Sequence, residues 1–183
     1  IAISGSVGKT TTKENIFHIL NNNLYKAYRS FKNYNNILGL QFSIMNLNLK
    51  SQFAVFELGI NAPLEMNSMI KILQPHYALL TCVEDSHIGN FKNFSDLVSN
   101  KTIIFKSKRL IKGLINIRDN YFKIPKKLAN KVSVINLDNL DIKTNKQKLF
   151  IISFKFNNST QSIFSDKGGI FLETAVLSFL FLR

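Results

Sequence analysis

Ile1-Ala2-Ile3-Ser4-Gly5-Ser6-Val7-Gly8-Lys9-Thr10-Thr11-Thr12 is the stretch from which the rest of the chain is read. Its first four residues suit a buried strand. From Lys9 to about Asn23, Ile16, Ile19, Leu20 and Leu24 recur at helical spacing on one stripe. Between strand and helix, Gly5 and Gly8 let the backbone curl so that successive N–H groups converge on an anion. The start of the helix adds its partial positive charge. In such a phosphate loop Lys9 reaches the β- and γ-phosphates of a nucleotide and the Thr10 hydroxyl ligates Mg²⁺. Gly5, Ser6, Val7, Gly8, Lys9, Thr10 and Thr11 are therefore the candidate nucleotide-binding residues. The G-x-x-G-K-T spacing is shorter than the general G-x-x-x-x-G-K-[ST] pattern. The plain alternative is a Gly-rich turn leading into a Thr-capped helix.

Working outward, apolar runs alternate with helical patterns to about Asn136. Tyr28–Phe31, Phe53–Leu58, Tyr77–Cys82, Leu114–Ile117 and Val132–Ile135 read as strands. Between them fall a short helix carrying Leu40, Ile44 and Leu47, then Glu65–Leu73, stopped near Pro75. A helix from about Ser95 to Lys108 and one around Lys126–Asn130 complete the series. Such alternation implies an α/β fold, a mostly parallel sheet flanked by helices, with ligands beyond the carboxyl ends of its strands. After Asn136 the pattern changes. Leu149–Phe156 and Gln161–Phe164, separated by Asn157-Asn158-Ser159-Thr160, suggest a small antiparallel hairpin near the C-terminus. Gly168-Gly169 then precedes an apolar helix over Ile170–Leu182.

The 183 residues, 45 % hydrophobic and 19 % charged, suit one globular domain with a sizeable core. No apolar run approaches the roughly 20 residues that span a bilayer, so membrane insertion is not expected. No basic segment with an apolar stretch opens the chain to mark it for export. It opens within a strand, from which an upstream portion is expected. The single Cys82 allows no internal disulfide and fits a reducing compartment, the cytoplasm. The net charge of +13 falls mainly in Lys106–Lys112, Lys123–Lys131 and Lys143–Lys148. These clusters lie away from the loop and lack the aromatic interleaving of single-strand binders, so nucleic acid is not expected as a partner.

Further segments complete a recognisable order. Gly8-Lys9-Thr10-Thr11-Thr12-Lys13-Glu14 resembles the phosphate loop of the Mur ligases. Asn33-Tyr34-Asn35-Asn36-Ile37-Leu38-Gly39 resembles the N-x-N-N-x-I-G segment of the family's MurF-type branch. Phe53-Ala54-Val55-Phe56-Glu57-Leu58-Gly59 is similar to its strand ending in E-L-G. Pro75–Thr81 and Ser86-His87-Ile88-Gly89-Asn90-Phe91 resemble the next strand and its His-bearing loop. Lys101 stands where the family has an often carbamylated lysine, and Leu114–Asp119 is similar to the N-x-D-D segment beyond. The likeness covers about Ile1 to Asp119, and the rest loosely.

The resemblance implies that residues 1–183 are a central ATP-binding domain, with an N-terminal substrate domain and a C-terminal domain lying outside them. It implies ATP, with one or two Mg²⁺ or Mn²⁺ ions, UDP-N-acetylmuramoyl-tripeptide and D-alanyl-D-alanine as partners, and a monomer. The reaction implied is activation of a carboxylate as an acyl phosphate and attack by the dipeptide amine, in peptidoglycan synthesis. Lys9, Glu57, His87 and Lys101 would be catalytic, and Thr10, Glu57, His87 and a carbamylated Lys101 would hold metal. Asn33 and Asn36, with Asn35 between them, would offer amides to nucleotide or substrate oxygens. The residues allow this: Glu57 ends an apolar strand at the sheet's carboxyl edge, within reach of an ion on Thr10. A protonated lysine cannot ligate a cation, but its carbamate supplies two oxygens. The plain alternatives are a solvated strand-end acid, an exposed loop histidine, a solvent-facing helical lysine and a polar turn.

The sequence departs from the family at Gln41, usually Pro, Leu64, usually Gly, Cys82, usually Asn, and Ile103, usually Glu. Gly169-Ile170-Phe171-Leu172-Glu173 lacks the His and Asn of the segment that holds the adenine side of ATP. Three other readings stay open: a sibling ligase for another amino acid or poly-glutamate, an unrelated P-loop kinase or GTPase, and a non-catalytic nucleotide-binding relic.

Overall fold

The computed structural model describes residues 1–84, 88–116, 129–135, 141–144, 150–156, 159–165, 178 and 181. Strands β1 (Ala2–Ser4), β2 (Ala27–Arg29), β3 (Phe53–Glu57), β4 (Tyr77–Leu80), β5 (Lys112–Asn116) and β6 (Val132–Ile135) form one sheet in the order β2-β3-β1-β4-β5-β6. Every pairing in it is parallel. The strands are nearly continuous apolar runs because both faces are covered, and alternate residues feed different cores. Ala2, Phe56, Ala78, Leu80 and Ile115 join Leu40, Met66, Leu97 and Phe105 on one face. Ile3, Val55, Leu79 and Leu114 join Ile16, Leu20 and Phe181 on the other.

The helices are α1 (Lys9–Asn22), α2 (Ile37–Met45), α3 (Glu65–Leu73) and α4 (Phe94–Thr102). The buried stripe of α1 is Thr12, Lys13, Ile16 and Leu20. Leu24, expected on that stripe, instead leaves the helix with φ 66° and is almost fully exposed. Three consecutive residues after α4, Ile103, Ile104 and Phe105, are all buried. After α4 the chain tightens into a 3-10 turn over Ile103–Lys106 rather than running on as an α-helix to Lys108. Ile103 thereby becomes part of an apolar core.

Toward the C-terminus, β7 (Asp141–Thr144), β8 (Phe150–Phe156) and β9 (Ser159–Ser165) form a separate antiparallel sheet in that order. The expected strand pair lies within it, with β9 starting at Ser159 and β7 added to the far edge of β8. Asn157 and Asn158, and most of the helices expected around Lys126–Asn130 and over Ile170–Leu182, lie outside the described residues. Ser178 and Phe181 are helical and buried, and the Phe181 ring meets Tyr77 edge-on at 6.2 Å. No helix among the described residues is long and apolar enough to cross a membrane.

Candidate functional site

The chain leaves β1 toward one side of the sheet and returns through β4 on the other, so the carboxyl ends of β1, β3 and β4 flank a crevice. The loop after β1 fills it. Gly5 has φ 148° and Gly8 φ 79°, both in territory glycine alone enters cheaply. A Cβ on Gly5 would stand 2.0 Å from Thr81 Oγ1, so the loop packs against the end of β4 with no room for a side chain. That packing is hydrogen-bonded throughout. Ser6 N donates to Cys82 O at 2.9 Å, and Thr81 Oγ1 donates to Val7 O at 2.6 Å. Ser6 Oγ donates to Glu84 O and accepts from Glu84 N.

Gly8 caps α1 without a side chain, and the first turn of α1 carries no acidic residue. The positive end of the helix thus faces the loop with no acid of its own first turn to neutralise it. Lys9 folds back so that Nζ donates to Gly5 O at 3.0 Å and Ser6 O at 2.9 Å. Burial pushes its pKa down, opposed by attraction to Glu57 and Cys82. Thr10 lies exposed at the mouth, and its Oγ1 donates to Glu57 Oε2 at 2.8 Å. Thr11 follows, half-buried, in the first turn of α1.

Glu57 ends β3, register-paired with Ile3, and is only 2 % exposed. A buried carboxylate needs partners on both oxygens. Oε2 has Thr10, while Oε1 accepts from Asn35 Nδ2 at 2.8 Å. Gly59 N holds Asn35 by its carbonyl at 2.8 Å, and a Cβ on Gly59 would strike the Asn35 amide. Of the three loop asparagines, therefore, Asn35 is brought to the acid. Asn36 Oδ1 instead accepts from Gly39 N at 2.8 Å, capping α2, and Asn33 sits exposed.

Lys101 is 2 % exposed, not solvent-facing, and points Nζ to Gly5 O at 3.3 Å. Burial first, then repulsion from Lys9, lowers its pKa to about 8, with Cys82 opposing. Lys9 and Lys101 thus meet on one carbonyl of the loop. His87 lies outside the described residues. Leu64, at the cap of α3, has φ 70°, a left-handed backbone that glycine would hold without strain.

The arrangement suits phosphate: a curled backbone, a helix N-terminus and a lysine ready to leave loop carbonyls for an anion, with a hydroxyl and a carboxylate 2.8 Å apart at its edge. The Mur ligase middle domain, as a family, matches residues 3–177. The chain belongs to the Mur ligase family. UDP-N-acetylmuramoyl-tripeptide–D-alanyl-D-alanine ligase of Rickettsia prowazekii is 32 % identical over 139 residues, 75 % of this chain and 30 % of that protein. The ligase of the same name from Buchnera aphidicola subsp. Baizongia pistaciae is 32 % identical over 98 % of this chain and 38 % of its own length. A crystal structure of MurF from Acinetobacter baumannii superposes with a TM-score of 0.81 at 25 % identity, covering 99 % of this chain and 42 % of that one. The chain thus spans roughly a third of the length of the curated Mur ligases it matches.

Two contributors to this Mur ligase site escape the sequence reading. Lys13 is fully buried and places Nζ 3.8 Å from Glu57 Oε2, and Thr81 fastens the loop. The signal for Lys13 was its place one helical turn after Lys9, on the face that turns inward.

Proposed function

We propose that this chain is the ATP-binding core of a ligase that joins D-alanyl-D-alanine to UDP-N-acetylmuramoyl-tripeptide through an acyl phosphate, in cytoplasmic peptidoglycan precursor synthesis. The observation that carries the reading is the Thr10–Glu57 contact of 2.8 Å at the carboxyl end of β3, beside the curled loop. Two hard oxygen donors at that spacing suit Mg²⁺, and the names of the curated relatives support the substrates.

The loop of Gly5, Ser6, Val7, Gly8 and the start of α1 binds the phosphates by backbone N–H groups. Lys9 exchanges its loop carbonyls for phosphate oxygens and neutralises the charge that develops on transfer to the substrate carboxylate. Thr10 and Glu57 hold Mg²⁺, or Mn²⁺ in its place, and the bound ion supplies further neutralisation of phosphate charge. Asn35 fixes the rotation of the Glu57 carboxylate. Lys101, as a carbamate, and His87 form a second metal position; the burial of Lys101 against Gly5 O supports this over a solvated lysine. The protein works as a monomer with substrate and closing domains on either side of this core. The core alone does not turn over.

Release of phosphate by the full-length protein, assayed with UDP-muramoyl precursors and a panel of amines, tests the reading. D-alanyl-D-alanine ranks first if it is right. A clear preference for a single free amino acid moves the protein to a sibling ligase.

A further inference from the structure

Lys13 is a charge shut completely away from solvent beside the phosphate loop, with no role in the reading above. Its Nζ donates to the carbonyl oxygen of Lys32. The same nitrogen stands 3.8 Å from Glu57 Oε2 and 3.5 Å from Glu14 Oε1. Lys32 holds φ 46°, a conformation that non-glycine residues adopt only when their surroundings impose it. That bend sends the chain from β2 into the loop whose Asn35 reaches the other oxygen of Glu57. One ammonium thus ties together the helix that delivers Thr10, the loop that delivers Asn35 and the carboxylate between them. An apolar side chain of the same length would fill the space without the desolvation cost of a buried charge. Packing alone therefore does not account for a lysine here.

We propose that Lys13 is a positioning residue, whose ammonium sets the orientation of the Glu57 carboxylate toward Thr10 and pins the bend at Lys32. The inference rests on the proposed role of Thr10 and Glu57 in holding Mg²⁺. Lys13 does not touch nucleotide or metal. It acts through the carboxylate, as outer partners of metal ligands do.

The test is a Mg²⁺ titration of fluorescent ATP-analogue binding to the full-length ligase, with kcat and KM for ATP measured alongside. Lys13→Met should raise the Mg²⁺ midpoint by about 10- to 100-fold and lower kcat, with analogue affinity in excess EDTA unchanged. A purely structural lysine would lower the melting temperature and leave the midpoint where it was. If Lys13→Met does not fold, Lys13→Gln keeps a donor for the Lys32 carbonyl, removes the charge, and should show the same shift. A midpoint within about two-fold of the parent, in whichever variant folds, overturns the proposal. Glu57→Gln separates the two levels. If it moves the midpoint and the Lys13 variants do not, only the role of Lys13 fails. If Glu57→Gln leaves the midpoint unmoved, the metal reading of the site fails, and the role of Lys13 with it.

Discussion

Gly5→Ala isolates the packing of the phosphate loop from its chemistry. The added methyl would stand 2.0 Å from Thr81 Oγ1 and 3.0 Å from Cys82 O, with the backbone at φ 148°. Thr81 cannot simply turn away, because its hydroxyl is committed to Val7 O at 2.6 Å. Displacing it gives up a buried hydrogen bond, about 1–3 kcal/mol, to which the strained backbone adds roughly 1–2 kcal/mol. The sum is centred near 3.5 kcal/mol, about 7–14 °C in the melting temperature of a domain of this size. Calorimetry of the full-length protein, following the transition of this domain, reads it directly. In a Thr81→Ala background the clash with Oγ1 is gone, so the cost of Gly5→Ala should fall to the backbone share, roughly 1–2 kcal/mol. A shift below about 2 °C for Gly5→Ala alone, or an undiminished cost in the Thr81→Ala background, would refute the argument.

Two other substitutions test separate features. Leu64→Gly relieves a left-handed backbone at an exposed position, φ 70°, and should raise stability by about 1 kcal/mol; no gain in melting temperature would mean the strain is absent. Lys101→Ala should cost about 10- to 100-fold in activity, partly restored by short-chain carboxylates that occupy the vacated pocket, and full activity at low bicarbonate would remove the second metal position.

The parallel sheet was legible because β1, β3, β4 and β5 are apolar on both faces, and only a sheet covered on both sides buries such runs. The loop was legible because its chemistry is local, with Gly5, Gly8, Lys9 and Thr10 acting within one turn of chain. What escaped depends on distant partners. Lys13 reads as one more solvated lysine until β3 brings Glu57 against it. Asn35 and Asn36 are equivalent in sequence, and only the close approach of Gly59 assigns one to the acid while the start of α2 takes the other. The strand Asp141–Thr144 is short and carries Asp, Lys and Thr, so it shows no alternation that would announce it. The tightening over Ile103–Lys106 comes with burial of three consecutive apolar residues, a pattern a helical period does not foresee.

The central claim is that Lys9 and the loop around it carry the phosphates of ATP for amide ligation. Its most direct test is the rate of ATP-dependent ligation by Lys9→Ala in the full-length enzyme, with circular dichroism recorded beside the parent. The account requires a loss of at least about 100-fold, the scale of removing one group that stabilises transition-state charge, with the fold intact. Parental turnover in a variant whose circular dichroism matches the parent would contradict it.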